Sequence, residues 1–255
     1  MLDLELDRDW LEATTPAVEQ VLQRMRAQGR AQLLQRGRWL IATEDGPDGA
    51  PVRARVDYLE QVAAAVLRRL DIDYYVSWHS ALWHYGLIDQ QSRQVYVATT
   101  KRKRPVQMGR MGVRFVTVAD RKFFGGVQVE LEEPVWMATP EKALIDSLDR
   151  PQLAAPVPVV ADALKRAWQD NLIDATRLVD YAHRFDSPGL NRRLGFWMDL
   201  FEIPGSEPLS WHLGRSSPMA LAPGHRPTGG QRHPVNKRWL VYEHPTIIGA
   251  ALELK

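Results

Sequence analysis

The sequence predicts a mixed α/β (α+β) protein, and three observations carry that expectation. Val95–Thr99 (VYVAT) and Val113–Val118 are β-branched runs punctuated by Gly112 and the Gly125–Gly126 pair, which is strand chemistry. Leu59, Val62, Ala63, Val66, Leu67 and Leu70 recur at helical spacing, as do Val159, Val160, Ala163, Leu164, Ala167 and Trp168. Thr139-Pro140-Glu141 and Ser187-Pro188 each place a capping hydroxyl before a proline, the signature of a helix start.

In chain order, Leu4–Leu11 reads as a short helix. Thr15 caps a second, with Pro16 in its first turn and Val18, Val21, Leu22 and Met25 on one apolar face. Arg30–Ile41 follows as strand, turn at Gly37 and strand. A helix before a basic two-stranded ribbon is the outline of a winged helix-turn-helix, in which a helix enters the major groove and the wing touches phosphate. The unit is short: only about two helices fit ahead of Arg30, where a full winged helix has about three. Glu44–Pro51 (EDGPDGAP) is a turn-rich linker. The domain boundary is therefore expected between residues 1–56 and 57–255.

Asp57 caps the next amphipathic helix. Ser77 caps the one after it, which Gly86 ends, with Trp78, Ala81, Leu82 and Tyr85 inward. Strands are expected at about Gln94–Ala98, Val113–Val118, Val127–Leu131 and Val135–Met137. Two further helices bury Leu178, Val179, Ala182 and Phe185, then Leu190, Leu194, Trp197 and Phe201. Pro204–Asn236 is loop-rich, and Trp239–Tyr242 is a final strand.

The chain has 255 residues, 45% of them apolar, enough for a sizeable core in one large domain or two smaller ones. It has no cysteine, so a disulfide framework and a cysteine zinc site are excluded, and a cytoplasmic home is expected. No apolar run approaches the roughly 20 residues that span a bilayer, and MLDLELDRDW carries no signal-peptide pattern. A net charge of +2 means that any nucleic-acid footprint is a local patch. Two such patches exist. Gln20–Thr43 holds Arg24, Arg26, Arg30, Arg36 and Arg38 and no acid. Lys101–Lys122 holds eight basic residues against Asp120 alone. Solvated surface and phosphate contact are equal readings of each.

Catalytic motifs are absent. His79 and His84 point in different directions on a helix, and no HExxH occurs. Ser77, His79 and Ser80 lack a third triad member, and capping accounts for Ser77. No phosphate-binding glycine motif is present, and Gly229-Gly230 beside Gln231 and Arg232 reads as a flexible loop. Glu141 and Asp146 do not share a helix face; Glu141 suits the helix dipole, and Asp146 is expected to meet Arg192 or Arg193. No enzymatic activity, cofactor or metal is expected.

One ordered series remains: YYVSWHSALWHYGL at Tyr74–Leu87, VYVAT at Val95–Thr99, the basic run Lys101–Arg104, TPEKALID at Thr139–Asp146, and NRRLGFWMDL at Asn191–Leu200. With Arg238–Tyr242 (RWLVY), it resembles the AbiEi family of antitoxins over roughly Arg36 to His244. The resemblance implies an N-terminal winged helix-turn-helix and a C-terminal mixed α/β antitoxin domain. It implies a transcriptional regulator that binds inverted repeats in its promoter as a repressor, with two copies on a palindrome. It also implies a type IV toxin–antitoxin system of phage defence by abortive infection, whose nucleotidyltransferase-like toxin need not form a stable complex with the antitoxin.

Carried onto this chain, Pro16–Ala27 would be the major-groove helix, with Gln20, Gln23 and Arg24 as base readers. Arg30, Arg36 and Arg38 would belong to the wing, and Lys101, Arg102, Lys103 and Arg104 would hold backbone phosphate beyond it. Two alternatives stay open. One is an antitoxin that contacts or modifies its toxin, with DNA binding lost. The other is an RNA-binding protector of the toxin's target, for which Trp78, Trp83 and Tyr85 would supply stacking.

Overall fold

A computed structural model describes residues 4–7, 31–35, 38–41, 59, 62, 66–129, 131, 134–210, 217–222 and 233–254. Its architecture is mixed α/β, as the sequence predicts.

The N-terminal strands are β1 (Leu4–Asp7), β2 (Ala31–Gln35) and β3 (Arg38–Ile41), an antiparallel sheet in the order β1-β3-β2. The ribbon expected over Arg30–Ile41 is β2 and β3, with Ala31 opposite Ile41 and Gln35 opposite Arg38. The helix expected over Leu4–Leu11 is corrected: Leu4–Asp7 is a strand, with Leu4 opposite Ile41 and Asp7 opposite Arg38. The cause is legible in LDLELD, where leucine and acid alternate with the period of two that a strand requires. Arg38 opens β3. Pro16–Ala27, Gln20, Gln23, Arg24, Arg30, Arg36, the Asp57 cap and the boundary at residues 56 and 57 lie outside the described residues.

The central sheet has six strands: β4 (Tyr75–Val76), β5 (Gln94–Thr99), β6 (Val106–Met108), β7 (Met111–Thr117), β8 (Gly126–Val129) and β9 (Val135–Ala138). Their order is β6-β7-β5-β4-β9-β8. β5 runs parallel to β7 from Gln94 opposite Gly112 to Thr99 opposite Thr117. β4 is parallel to β9 and antiparallel to β5, and the hairpins β6–β7 and β8–β9 close the two ends. Val76 lies between Val97 and Met137, and all three are fully buried. β4 and β6 were not expected from the sequence. They span two and three residues, too short for any periodicity to show.

Among the described residues, six helices follow: α1 (His79–His84), α2 (Pro140–Asp149), α3 (Val157–Gln169), α4 (Ala175–Phe185), α5 (Pro188–Leu200) and α6 (Pro245–Glu253). α2 is the hub and packs on α1, α3, α4, α5 and β9. Every residue from Glu141 to Leu148 is buried, so α2 is enclosed all round rather than amphipathic. Its start is as expected: Thr139 Oγ1 accepts the Lys142 amide, and Pro140 occupies the first turn. Ser187 likewise caps α5. Leu178, Val179, Ala182 and Phe185 form the buried stripe of α4.

The last sheet is β10 (Met219–Ala220), β11 (Val235–Asn236) and β12 (Val241–Tyr242), in the order β10-β12-β11. The strand expected from Trp239 starts at Val241. The Trp239 amide is taken by Asn236 Oδ1, which makes residues 237–240 a turn. The Trp239 indole packs on α5 where Gly195 has no side chain; a Cβ there would overlap the ring. A mid-helix glycine costs about 1 kcal/mol against alanine, and here it permits that close approach. Among the described residues, no helix is long and apolar enough to cross a membrane.

Candidate functional site

The connection between β5 and β6 is basic and exposed. Thr99 Oγ1 accepts the Lys101 amide at 3.2 Å, which turns the chain out of β5. Lys101, Arg102, Lys103, Arg104 and Pro105 are then all exposed before Val106 opens β6. None of the four cations pairs with a carboxylate among the described residues. Arg110 in the β6–β7 turn and Arg114 on β7 are exposed as well. The basic run is thereby divided. Arg121 pairs with Asp186 at 2.7 Å and Lys122 with Asp149 at 3.1 Å, so its C-terminal end is neutralised within the fold. β2 of the N-terminal sheet approaches β6, beside the basic loop.

A second polar centre lies inside the protein, at the heart of the YYVS and TPEKALID motifs. Ser77 Oγ donates to Asp146 Oδ2 at 2.8 Å. Lys142 Nζ donates to Asp146 Oδ1, one helical turn away, and to the Tyr75 hydroxyl at 2.9 Å. The Tyr75 hydroxyl donates to the Lys122 carbonyl at 3.3 Å. Lys142 is 0% exposed and its ammonium lies 5.0 Å from the Phe124 ring centre and 5.1 Å from that of Phe185. Burial pushes the Lys142 pKa down, against the attraction of Asp146. Burial pushes the Tyr75 hydroxyl far up, with Asp146 adding to it. The group has the composition of a Ser–Lys nucleophilic site but not its geometry: the Ser77 hydroxyl is committed to a carboxylate, and the centre is sealed. What it does is fix β4 to α2.

Two expectations are corrected here. Ser77 does not cap α1; that position is held by Trp78, at φ 53°, with no side-chain cap. This left-handed backbone costs on the order of 1–3 kcal/mol. It lets the Trp78 indole donate to the Asp146 carbonyl at 3.0 Å while Ser77 reaches the carboxylate of the same residue. Asp146 does not meet Arg192 or Arg193. Arg192 instead donates to the carbonyls of Trp239, Ser217 and Leu240 and ties α5 to the last sheet. Glu141 sits in the first turn of α2, as expected, but is completely buried. Arg177 Nε and Nη2 and the Asp174 amide all donate to its Oε1. The Lys142–Asp146 pair was overlooked, although its spacing of four within TPEKALID was a usable signal.

Among the described residues, no group of three or more histidine, aspartate or glutamate side chains could hold a metal ion. The His233 and His244 rings lie 4.4 Å apart, tilted by 36°, and burial lowers the pKa of His79. Gly229, Gly230, Gln231 and Arg232 lie outside the described residues.

No family model matches the chain, and no curated protein is similar to it in sequence. Its fold is similar to that in the crystal structure of the RV2827C protein from Mycobacterium tuberculosis. The two share 14% identity with a TM-score of 0.66, over 98% of this chain and 88% of that one. At that identity the likeness is one of fold.

Proposed function

We propose that this chain is a DNA-binding antitoxin. It represses its own operon through an N-terminal winged helix and the basic loop of the central sheet. It neutralises a nucleotidyltransferase-like toxin through its C-terminal α/β domain. The observation that carries the DNA reading is the connection Lys101–Arg104: four consecutive exposed cations with no carboxylate partner among the described residues. Salt bridges within the fold would have satisfied them had they been structural, as they do Arg121 and Lys122. The toxin partnership rests on the ordered resemblance from Tyr74 to Leu200. In this reading Gln20, Gln23 and Arg24 read bases, Arg30, Arg36 and Arg38 form the wing, and the loop adds phosphate contacts.

The test is a titration of the purified chain against the DNA upstream of its own gene, at two salt concentrations, with a scrambled competitor. Selective, salt-sensitive binding is expected. Changing Lys101, Arg102, Lys103 and Arg104 together to glutamine should flatten the slope of log affinity against log salt by roughly 0.9 for each phosphate that is no longer neutralised. An unchanged slope would remove the loop from the interface. Binding no better than to the competitor would remove the repressor reading altogether.

One observation favours a second reading, antitoxicity by direct contact. β9 exposes Trp136, a large aromatic side chain of the kind that anchors protein interfaces. Loss of toxin neutralisation in Trp136→Ala, with DNA binding intact, would support it.

A further inference from the structure

The central sheet keeps one polar face at its β5–β7–β6 end. Val95, Val97 and Val113 point into the core from the other side and are 2% exposed or less. Strand alternation therefore puts Gln94 and Tyr96 of β5, Gly112 and Arg114 of β7 and Gln107 of β6 together on the opposite side. There the register sets Gln94 and Gln107 on either side of Gly112, and Tyr96 beside Arg114. Gln107 and Arg114 are exposed, and Gln94 and Tyr96 are partly exposed. Farther along the same face Ala98 and Val116 are buried, which bounds the open part.

The fold does not use most of the polar groups here. A methyl placed on Gly112 would lie 2.8 Å from Gln107 Oε1 and 2.9 Å from Gln94 Nε2, so the two amides converge over the glycine. A residue without a side chain lets them lie against the backbone. Gln107 Nε2 donates to the Gly109 carbonyl at 3.1 Å. The Gln107 oxygen, the Gln94 side-chain amide and the Tyr96 hydroxyl have no hydrogen-bond partner among the described residues. None of the five residues on the face is acidic. Arg114 pairs with no carboxylate among the described residues, and neither does Arg110 in the β6–β7 turn. Carrying the β6–β7 register one residue further sets Pro105 beside Arg114, so the loop Lys101–Arg104 borders this face.

We propose that this face binds single-stranded nucleic acid, RNA or DNA. Tyr96 and the Arg114 guanidinium offer planes on which bases stack, the Gln94 and Gln107 amides meet base edges, and the bordering loop holds phosphate. Charge complementarity makes the occupant a polyanion, and the aromatic ring and free amides make it a single strand. A duplex keeps its bases stacked inside and would offer a flat sheet little beyond phosphate. Trp78, one of the aromatics expected to stack bases, is 1% exposed, so that task falls to Tyr96. The proposal shares the basic loop with the repressor reading and does not depend on it.

The test is fluorescence anisotropy of the full chain with short labelled oligonucleotides of mixed sequence: single-stranded RNA, single-stranded DNA and the corresponding DNA duplex. Both single strands should bind more tightly than the duplex. Tyr96→Leu should weaken single-strand binding about tenfold and leave duplex binding unchanged. Arg114→Gln should flatten the salt slope for single strands by roughly 0.7. Tighter binding of RNA than of DNA would assign a contact to the 2′-hydroxyl, and equal binding would assign the site to the bases and phosphate that both share. A duplex bound as tightly as the single strands overturns the proposal, and so does unchanged single-strand affinity in Tyr96→Leu. Should Tyr96→Leu fail to fold, unchanged single-strand affinity in the double variant Gln107→Ala with Arg114→Gln, at two exposed positions, overturns it instead. Selective binding of the upstream duplex with no single-strand binding would sink this proposal alone, and the reverse result would sink the repressor reading alone.

Discussion

Two lysine-bearing regions of this molecule use the same charge in opposite ways. Lys101–Arg104 projects four cations from a strand connection into solvent, where nothing in the described protein answers them. Lys142 is enclosed by Asp146 and three aromatic rings, those of Tyr75, Phe124 and Phe185. An exposed cation loses little solvation and contributes little to stability, so it is free for an outside polyanion. A buried one must be answered on the spot, and once answered it dictates which element sits against which. The difference teaches that the fold draws on one set of charges, and the proposed function on another.

The largest effect comes from breaking the buried set. Lys142→Ala leaves Asp146 uncompensated and should cost about 3–5 kcal/mol in urea unfolding. The double change Lys142→Met with Asp146→Leu should recover much of that, because it removes the pair rather than half of it. If the single change costs no more than an exposed lysine would, the comparison fails. Next is Gly195→Ala, which drives a methyl into the Trp239 ring and should cost about 1–3 kcal/mol by overpacking. Its expected signature is a lower thermal midpoint with the tryptophan fluorescence of the packed state perturbed.

A smaller effect follows from His79, whose folded pKa is lowered by burial. The unfolded chain then binds more protons around the ordinary histidine pKa. Stability rises with pH through that window and is lost as pH falls through the lowered folded value. Against His79→Gln, the wild-type chain should lose midpoint between about pH 7 and pH 5. A parallel pH profile for the two would contradict this. The smallest stability effect belongs to the exposed set: glutamine at Lys101, Arg102, Lys103 and Arg104 together should stay within about 0.5 kcal/mol. A larger loss would mean that the loop is structural after all.

Much of the fold was legible. The caps at Thr139 and Ser187, the stripe of α4, the left-handed Gly86 and four of the central strands all arise within a few residues of sequence. The exposed loop was legible too, because a run of like charges has no interior to go to. The misses share a cause. β1 was read with the wrong period, and β4 has only two residues. Ser77 was assigned the local job of a cap when its partner stands 69 residues away. The different fates of Arg192 and Arg193 were invisible because neighbouring arginines of one motif meet different surroundings.

By itself, the sequence determined what depends on neighbours in the chain: where helices start, which faces are apolar, the mixed α/β class and the exposed basic loop. Tertiary structure alone decided the partners of Glu141, Ser77 and Arg192. The physical reason is range. Capping and periodicity act over one or two turns of backbone. The choice of a buried charge's partner is made by whichever group the packed core brings within about 3 Å.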